Sequence, residues 1–150
     1  MNKTDYKQLN AQLSSIISGV PYTMTNLANA SALLFEKLEG ISWAGFYTIK
    51  EGKLVLGPFQ GKVACTIIAM GKGVCGTVAQ EDRTRVVPDV NKFPGHIACD
   101  SASKSEIVIP MHRKGELFGV LDIDSPLFDR FDEEDRKGLE EFVSILEKGI

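Results

Sequence analysis

Hydrophobic residues recur every three or four positions near both ends of the chain and predict helices there. The first run extends from Thr4 to Val20 and stops at Pro21, which interrupts helical hydrogen bonding. The second run ends before Gly40, a residue suited to the left-handed position just past a helix. A third run closes the chain over residues 131–150. Its predicted inward-facing residues are Leu139, Phe142, Val143 and Leu146.

Segments rich in β-branched and aromatic residues lie between these helices and predict a sheet. Residues 41–50 and 51–61 have the pattern of a β-hairpin. A third strand is predicted around Val63 to Ile68, a short strand at Arg85 to Val87, and two more within residues 105–125. No linker, repeat or low-complexity tract interrupts the chain. The sequence therefore predicts one α+β domain over its whole length, with a central, mainly antiparallel sheet.

The strand GELFGVLDIDS carries two aspartates at alternate positions, and alternate residues of a strand share a face. The residues predicted to share that face are Phe118, Val120, Asp122 and Asp124. If Arg113-Lys114-Gly115 is a three-residue hairpin loop, Glu106 falls opposite Asp122. Crowded carboxylates raise at least one carboxyl pKa and can supply a general acid near neutral pH. A solvent-exposed sheet face is the alternative interpretation of the same alternation.

The segment SWAGFY places two large rings on one side of a predicted strand. Trp43 and Tyr47 share a face by parity, and Gly45 leaves room between them. Such rings can form an aromatic cleft for a ligand. Packing into the core is the commoner fate of strand aromatics, so the strand alone favours a core position.

The three cysteines offer thiol chemistry. Cys99 lies in the longest aperiodic loop and is expected to be exposed, whereas Cys65 falls in a predicted apolar strand and is interpreted as a core residue. Cys75 has the better electrostatic argument, because it is placed in the first turn of the predicted helix GVCGTVAQ, where a thiolate is stabilised. The spacing C-x9-C-x23-C lacks the close pairs of a zinc site, so no metal is expected.

Composition narrows the functional classes. The chain of 150 residues is 43% hydrophobic and 25% charged, which is typical of a folded globular protein. A net charge of −3 without a basic run argues against a nucleic-acid partner. No apolar stretch has the length of a membrane helix and the first residues lack a signal-peptide pattern, so we expect a cytoplasmic protein with no membrane partner.

Several motifs carry a resemblance to a known family. The element order, the pattern G-x-G-x-x-G-x-V-A from Gly71 to Ala79, and the segments VVPDV and GVLDIDS together resemble a GAF domain across nearly the whole chain. The cysteine spacing, the loop FPGHIACDSASKSEIVIP, and the segments LDIDS and SWAGFY are similar to those of the free methionine-R-sulfoxide reductases. The resemblance implies terminal helices on one face of the sheet and a loop-covered pocket on the other.

The resemblance also implies a function and a set of roles for the cysteines. Free L-methionine-(R)-S-oxide would be reduced to methionine by thiol chemistry that requires no cofactor, in a defence against oxidative stress. Cys99 would be the catalytic thiol, with Cys65 as the first-choice disulfide partner and Cys75 as an alternative or helper. Thioredoxin would then reduce the disulfide, and the protein would be a homodimer.

The same resemblance assigns the carboxylates and rings to the substrate pocket. Glu106, aided by Asp124, would protonate the sulfoxide oxygen, and Asp122 would complete the acidic wall. Trp43 and Tyr47 would line the pocket. The alternatives are a non-catalytic GAF sensor of a small ligand and a thiol redox sensor that regulates a partner protein.

Overall fold

The computed structural model describes residues 1–97 and 102–150 and contains six strands in one antiparallel sheet. The strands are β1 (Trp43–Lys50), β2 (Lys53–Gln60), β3 (Ile67–Ala69), β4 (Arg85–Val87), β5 (Ser105–Arg113) and β6 (Glu116–Ser125). Their spatial order is β3-β2-β1-β6-β5-β4. The strands β1, β6 and β5 therefore lie at the centre of the sheet, and they carry the aromatic and acidic segments identified in the sequence.

Four α-helices cover the sheet. They are α1 (Tyr6–Ile17), α2 (Thr23–Lys37), α3 (Gly73–Glu81) and α4 (Glu133–Leu146), and short 3-10 turns occupy Val90–Lys92 and Glu147–Gly149. Within the described part of the chain, no helix is long and apolar enough to cross a membrane. The three predicted long helices, the first hairpin and the short strand β4 are confirmed.

The two faces of the sheet have separate hydrophobic cores. Apolar residues of α1, α2 and α4 pack on one face against Phe46, Ile107 and Leu121. On the opposite face, residues of α3 pack against Tyr47 and Val120. This arrangement confirms the predicted fold class, with the terminal helices on one face and a loop-covered pocket on the other.

Glycines allow α3 to approach the sheet closely. Gly71 and Gly73 have φ values of 79° and 62°, in the left-handed region that glycine adopts most readily. A Cβ at Gly76 would lie 2.5 Å from the carbonyl oxygen of Ala69. The first turn of α3, which contains Cys75, is thereby held against the pocket face.

The hairpin between β5 and β6 differs from its predicted register. The loop contains two residues, Lys114 and Gly115, both with positive φ, so Arg113 pairs with Glu116. The shorter loop, together with a bulge further along β6, places Glu106 opposite Asp124, and the prediction that it faces Asp122 is wrong. A two-residue loop with both φ values positive matches the right-handed twist of the strands better than the three-residue loop that the sequence suggested.

A bulge in the same hairpin changes which face of the sheet the side chains of β6 occupy. His112 pairs with Leu117 and Met111 pairs with Gly119, so Phe118 is an extra residue on β6. Phe118 packs on the helix-covered face, which contradicts its predicted position beside the aspartates. The shorter loop and the bulge each shift the register by one residue. Because side chains alternate with a period of two, the total shift of two residues keeps both aspartates on the same face as Glu106.

The third strand is shorter than predicted, and this changes the position of Cys65. Regular pairing begins at Ile67, and Val63 is 89% exposed. Cys65 packs against the pocket-side core, but it is only half-buried and lies in the segment before β3 instead of within the predicted strand. Tyr47 Oη donates a hydrogen bond to the Cys65 carbonyl at 2.9 Å, an interaction that takes the place of strand pairing there.

Gly119 provides a test of the close contact between β6 and β1. A Cβ at this position would collide with the carbonyl oxygen of Tyr47. We expect Gly119→Ala to lower the free energy of unfolding by about 1–3 kcal/mol, because β6 must move away from β1. Urea denaturation followed by circular dichroism measures this change.

The exposed residue Glu116, on the same strand, supplies the control. Glu116→Ala should change the free energy of unfolding by less than about 0.5 kcal/mol. Equal stability of the two variants would show that β6 tolerates a side chain at Gly119.

Candidate active site

One pocket on the sheet face opposite the terminal helices collects most of the predicted site residues. Those that line it are Trp43, Tyr47, Cys75, Glu106, Asp122 and Asp124. The other lining residues are Lys62, Val63, Ala64, Ile68, Lys72, Gly73, Val74, His96, Ile97 and Ser103. Strands β1, β5 and β6 form the floor, because their pocket-facing residues alternate with those of the helix-side core.

An aromatic wall closes one side of the pocket. The rings of Trp43 and Tyr47 stack with centroids 6.0 Å apart, and Phe59 stacks on the other side of Trp43 at 5.2 Å. Trp43 Nε1 donates a hydrogen bond to the Lys62 carbonyl at 3.0 Å. Both rings are buried and both line the pocket. The interpretation of SWAGFY as core and its interpretation as a ligand cleft are therefore both correct. Gly45 is required beside this wall, since a Cβ there would collide with Trp43 and Phe59.

An acidic cluster forms the adjoining wall. Glu106 and Asp122 are only 7% and 6% exposed. Burial raises the pKa of Glu106 well above its ordinary value, and the negative charge of Asp122 adds to the shift. Burial and then the charge of Asp124 raise the pKa of Asp122 in the same way. The interpretation of this face as a solvated surface is therefore wrong, because two of its carboxyls are buried and their raised pKa values favour the protonated form.

Cys75 lies against this cluster. Burial raises the pKa of the Cys75 thiol well above its ordinary value, and the negative charges of Asp122, Glu106 and Asp124 raise it further. The helix N-terminus does not produce the expected thiolate, because desolvation and negative neighbours both oppose a second negative charge. Cys75 is thus a buried thiol, and the electrostatic preference for it as a nucleophile is not supported.

The other two cysteines differ from Cys75. Cys65 is disulfide-bonded, whereas Cys75 is a free thiol. Cys99, the predicted catalytic thiol, lies outside the described residues. Its role therefore stays a prediction.

The donor atoms of Cys75, Glu106 and Asp122 lie within 4.8 Å of one another and are the described group that could hold a metal ion. A metal would have to displace protons from three groups whose pKa values are all raised. The arrangement suits proton donation to a bound oxygen atom better than metal coordination.

Several pocket residues are not among the sequence predictions. Ser103 is buried in the pocket, and the exposed side chains of Lys62 and Lys72 also line it. Ser103 belongs to the loop motif FPGHIACDSASKSEIVIP, and membership of that motif is the feature of the sequence that could have identified it as a pocket residue. Its position depends on where the chain enters β5, and periodicity gives no information on a loop.

Comparison with known proteins identifies the class. A model of the GAF domain family matches residues 11–150. The fold and its pocket thus define a GAF domain.

Individual relatives give a narrower assignment. The free methionine-R-sulfoxide reductase of Escherichia coli (strain K12) is 51% identical over 149 residues, covering 99% of this chain and 90% of the relative. The structure of the reduced form of fRMsr from Staphylococcus aureus has a TM-score of 0.97 at 51% identity and covers 99% of this chain and 96% of that chain. The complex of fRMsr from S. aureus with substrate has a TM-score of 0.95 at 50% identity, covering 99% and 97%. This chain belongs to the free methionine-R-sulfoxide reductase family.

The raised pKa of Glu106 predicts a pH dependence of stability. Between its ordinary pKa of 4.5 and the higher folded value, the folded state retains a proton that the unfolded state has lost. The contribution of Glu106 to the free energy of unfolding therefore decreases as pH rises through this range. Glu106→Gln should make the decrease less steep, as measured by urea denaturation from pH 4.5 upward in the presence of a thiol reductant.

Glu81 is the control, because its pKa shifts in the opposite direction to that of Glu106. A hydrogen bond from Arg85 lowers the Glu81 pKa below its ordinary value of 4.5, so its contribution is lost only as pH falls into the acid range. Glu81→Gln should leave the slope above pH 4.5 unchanged. If Glu106→Gln also kept the wild-type slope, burial of Glu106 would not affect its titration.

Proposed function

We propose that this protein reduces free L-methionine-(R)-S-oxide to L-methionine by thiol chemistry. The observation that carries the proposal is that buried carboxyls with raised pKa values lie beside an aromatic wall in one pocket. Membership of the family, with relatives whose described activity or substrate complex matches, supports the same reaction.

Glu106 is the proposed general acid. A sulfoxide oxygen carries partial negative charge and accepts a hydrogen bond from a protonated carboxyl, which a raised pKa keeps available near neutral pH. Asp124 pairs with Glu106 across β5 and β6 and assists it. Proton transfer to this oxygen makes the sulfur more electrophilic.

Cys99 is the proposed nucleophile. Its sulfur attacks the sulfoxide sulfur, the oxygen passes to Cys99, methionine leaves, and Cys99 becomes a sulfenic acid. The sulfenic acid then condenses with the Cys65 thiol to give a disulfide and water. The disulfide bond of Cys65 and the burial of the free Cys75 thiol support Cys65 as the resolving cysteine.

The pocket accounts for a preference for the free amino acid. Asp122 pairs with the substrate ammonium, whose positive charge favours the ionised form of this carboxyl, and backbone N–H groups near the Cys99 loop hold the substrate carboxylate. A peptide-bound methionine sulfoxide lacks both charges, so the buried partners would stay unpaired. Trp43 packs against the methyl group on sulfur and helps to select the R epimer.

The remaining parts of the proposal rest on the family resemblance. Thioredoxin reduces the disulfide by thiol exchange. The single domain acts as a homodimer in the cytoplasm, where it counters oxidative stress.

Turnover of four substrates tests the proposed function. With thioredoxin and its reductase present, free methionine-R-sulfoxide should be consumed over many cycles. The S epimer and both peptide-bound epimers should react at least about 100-fold more slowly, because each leaves a buried polar group unpaired. Absence of multiple turnover with the free R epimer would favour a ligand sensor or a redox sensor, since neither catalyses the reaction.

Cysteine variants test the roles of the thiols. Cys99→Ser should form no methionine even in a single turnover, whereas Cys65→Ser should release one methionine per chain and then stop. Cys75→Ser is the matched control and should continue to recycle. Quantification of methionine after rapid mixing with the reduced protein distinguishes these outcomes. A recycling defect in Cys75→Ser but not in Cys65→Ser would reverse the assignment of the resolving thiol.

A further inference from the structure

Two buried polar atoms in the pocket have no hydrogen-bond partner among the residues that the structure describes. Among the described residues, three buried side-chain atoms have no hydrogen-bond partner: Asn10 Oδ1, Ser103 Oγ and Asp122 Oδ1. Asn10 belongs to α1, on the far face of the sheet. Ser103, which is 9% exposed, and Asp122 both line the candidate active site. An unpaired buried polar atom costs free energy, so two in one pocket indicate a ligand with complementary groups.

Ser103 differs from the other buried donors of this pocket. Trp43 Nε1 already donates to the Lys62 carbonyl, and Tyr47 Oη already donates to the Cys65 carbonyl. A serine hydroxyl can donate one hydrogen bond, so Ser103 retains an uncommitted donor where water is largely excluded. Lys62 and Lys72 are exposed, and solvent screens their charges.

The ligand groups can be matched to these two atoms by chemistry. The unpartnered atom of Asp122 is a carboxyl oxygen beside other acidic side chains, so it suits a cationic donor and repels an anion. The Ser103 hydroxyl is the neutral donor and can approach an anion without repulsion. An amino acid zwitterion carries one group of each kind.

We propose that Ser103 is a specificity residue that donates a hydrogen bond to the α-carboxylate of the substrate. Ser103 and Asp122 then bind the two charged groups of one free amino acid. This inference rests on the proposed function, and it adds a side chain to the backbone groups invoked there for the carboxylate.

Binding of methionine-R-sulfoxide and of its carboxamide measures the contribution of Ser103. The protein has a single tryptophan, Trp43, which lines the pocket and reports occupancy by its fluorescence. Measurements in the Cys99→Ser background prevent consumption of the ligand. Ser103→Ala should weaken binding of the acid on the order of 10- to 100-fold, the value of a hydrogen bond to a charged group, and binding of the amide much less.

Two comparisons keep the test independent of folding. Ser31→Ala removes a buried hydroxyl from α2, distant from the pocket, and should leave both affinities unchanged. If Ser103→Ala does not fold, Ser103→Gly removes the same hydroxyl and should show the same selective loss for the acid; the chain with serine at 103 can still refute the proposal by binding acid and amide equally.

The outcomes separate this inference from the proposed function. Equal losses for acid and amide in Ser103→Ala, or equal affinities of the unaltered pocket for both ligands, would overturn the role of Ser103 even if the protein turns over the sulfoxide. A selective loss for the acid, in a protein without turnover, would support the carboxylate contact and refute the reductase function.

Discussion

The cost of placing negative charge on the pocket face of the sheet governs the chemistry of this protein. Glu106, Asp122 and Cys75 are buried together, and burial followed by the charge of acidic neighbours raises the pKa of each. The same charges act on Tyr47, whose phenol pKa is raised by burial and by Asp122. Ionisation of these acidic groups is therefore disfavoured around the pocket. A sulfoxide, which is neutral and accepts hydrogen bonds, suits such an environment better than an anionic ligand does.

Much of the fold could be predicted because helices and strands have different periods. The apolar stripe of α4 and the aromatic hairpin of β1 and β2 are strong local signals, and the structure reproduces both. Register depends on turn geometry and on bulges, which local periodicity does not encode. The partner of Glu106 and the facing of Phe118 were consequently wrong, although the shared face of the carboxyls was correct.

The site shows a similar division between local signals and tertiary environment. Parity alone grouped Trp43 with Tyr47 and Asp122 with Asp124, and all four line the pocket. The helix N-terminus suggested a reactive Cys75, but its thiol pKa depends on desolvation by residues from distant strands. The position of Ser103 depends likewise on tertiary structure. The catalytic role of Cys99 is predicted from family motifs alone, because Cys99 lies outside the described residues.

The bulge at Phe118 has a consequence for how such chains can vary. The tight hairpin and the extra residue compensate each other, so neither can be inserted or deleted alone without turning the acidic side chains into the apolar layer beneath the helices. Indels in this hairpin should therefore occur in pairs during evolution. A designer who grafts a longer loop between these strands must remove the irregularity as well, or add two residues together.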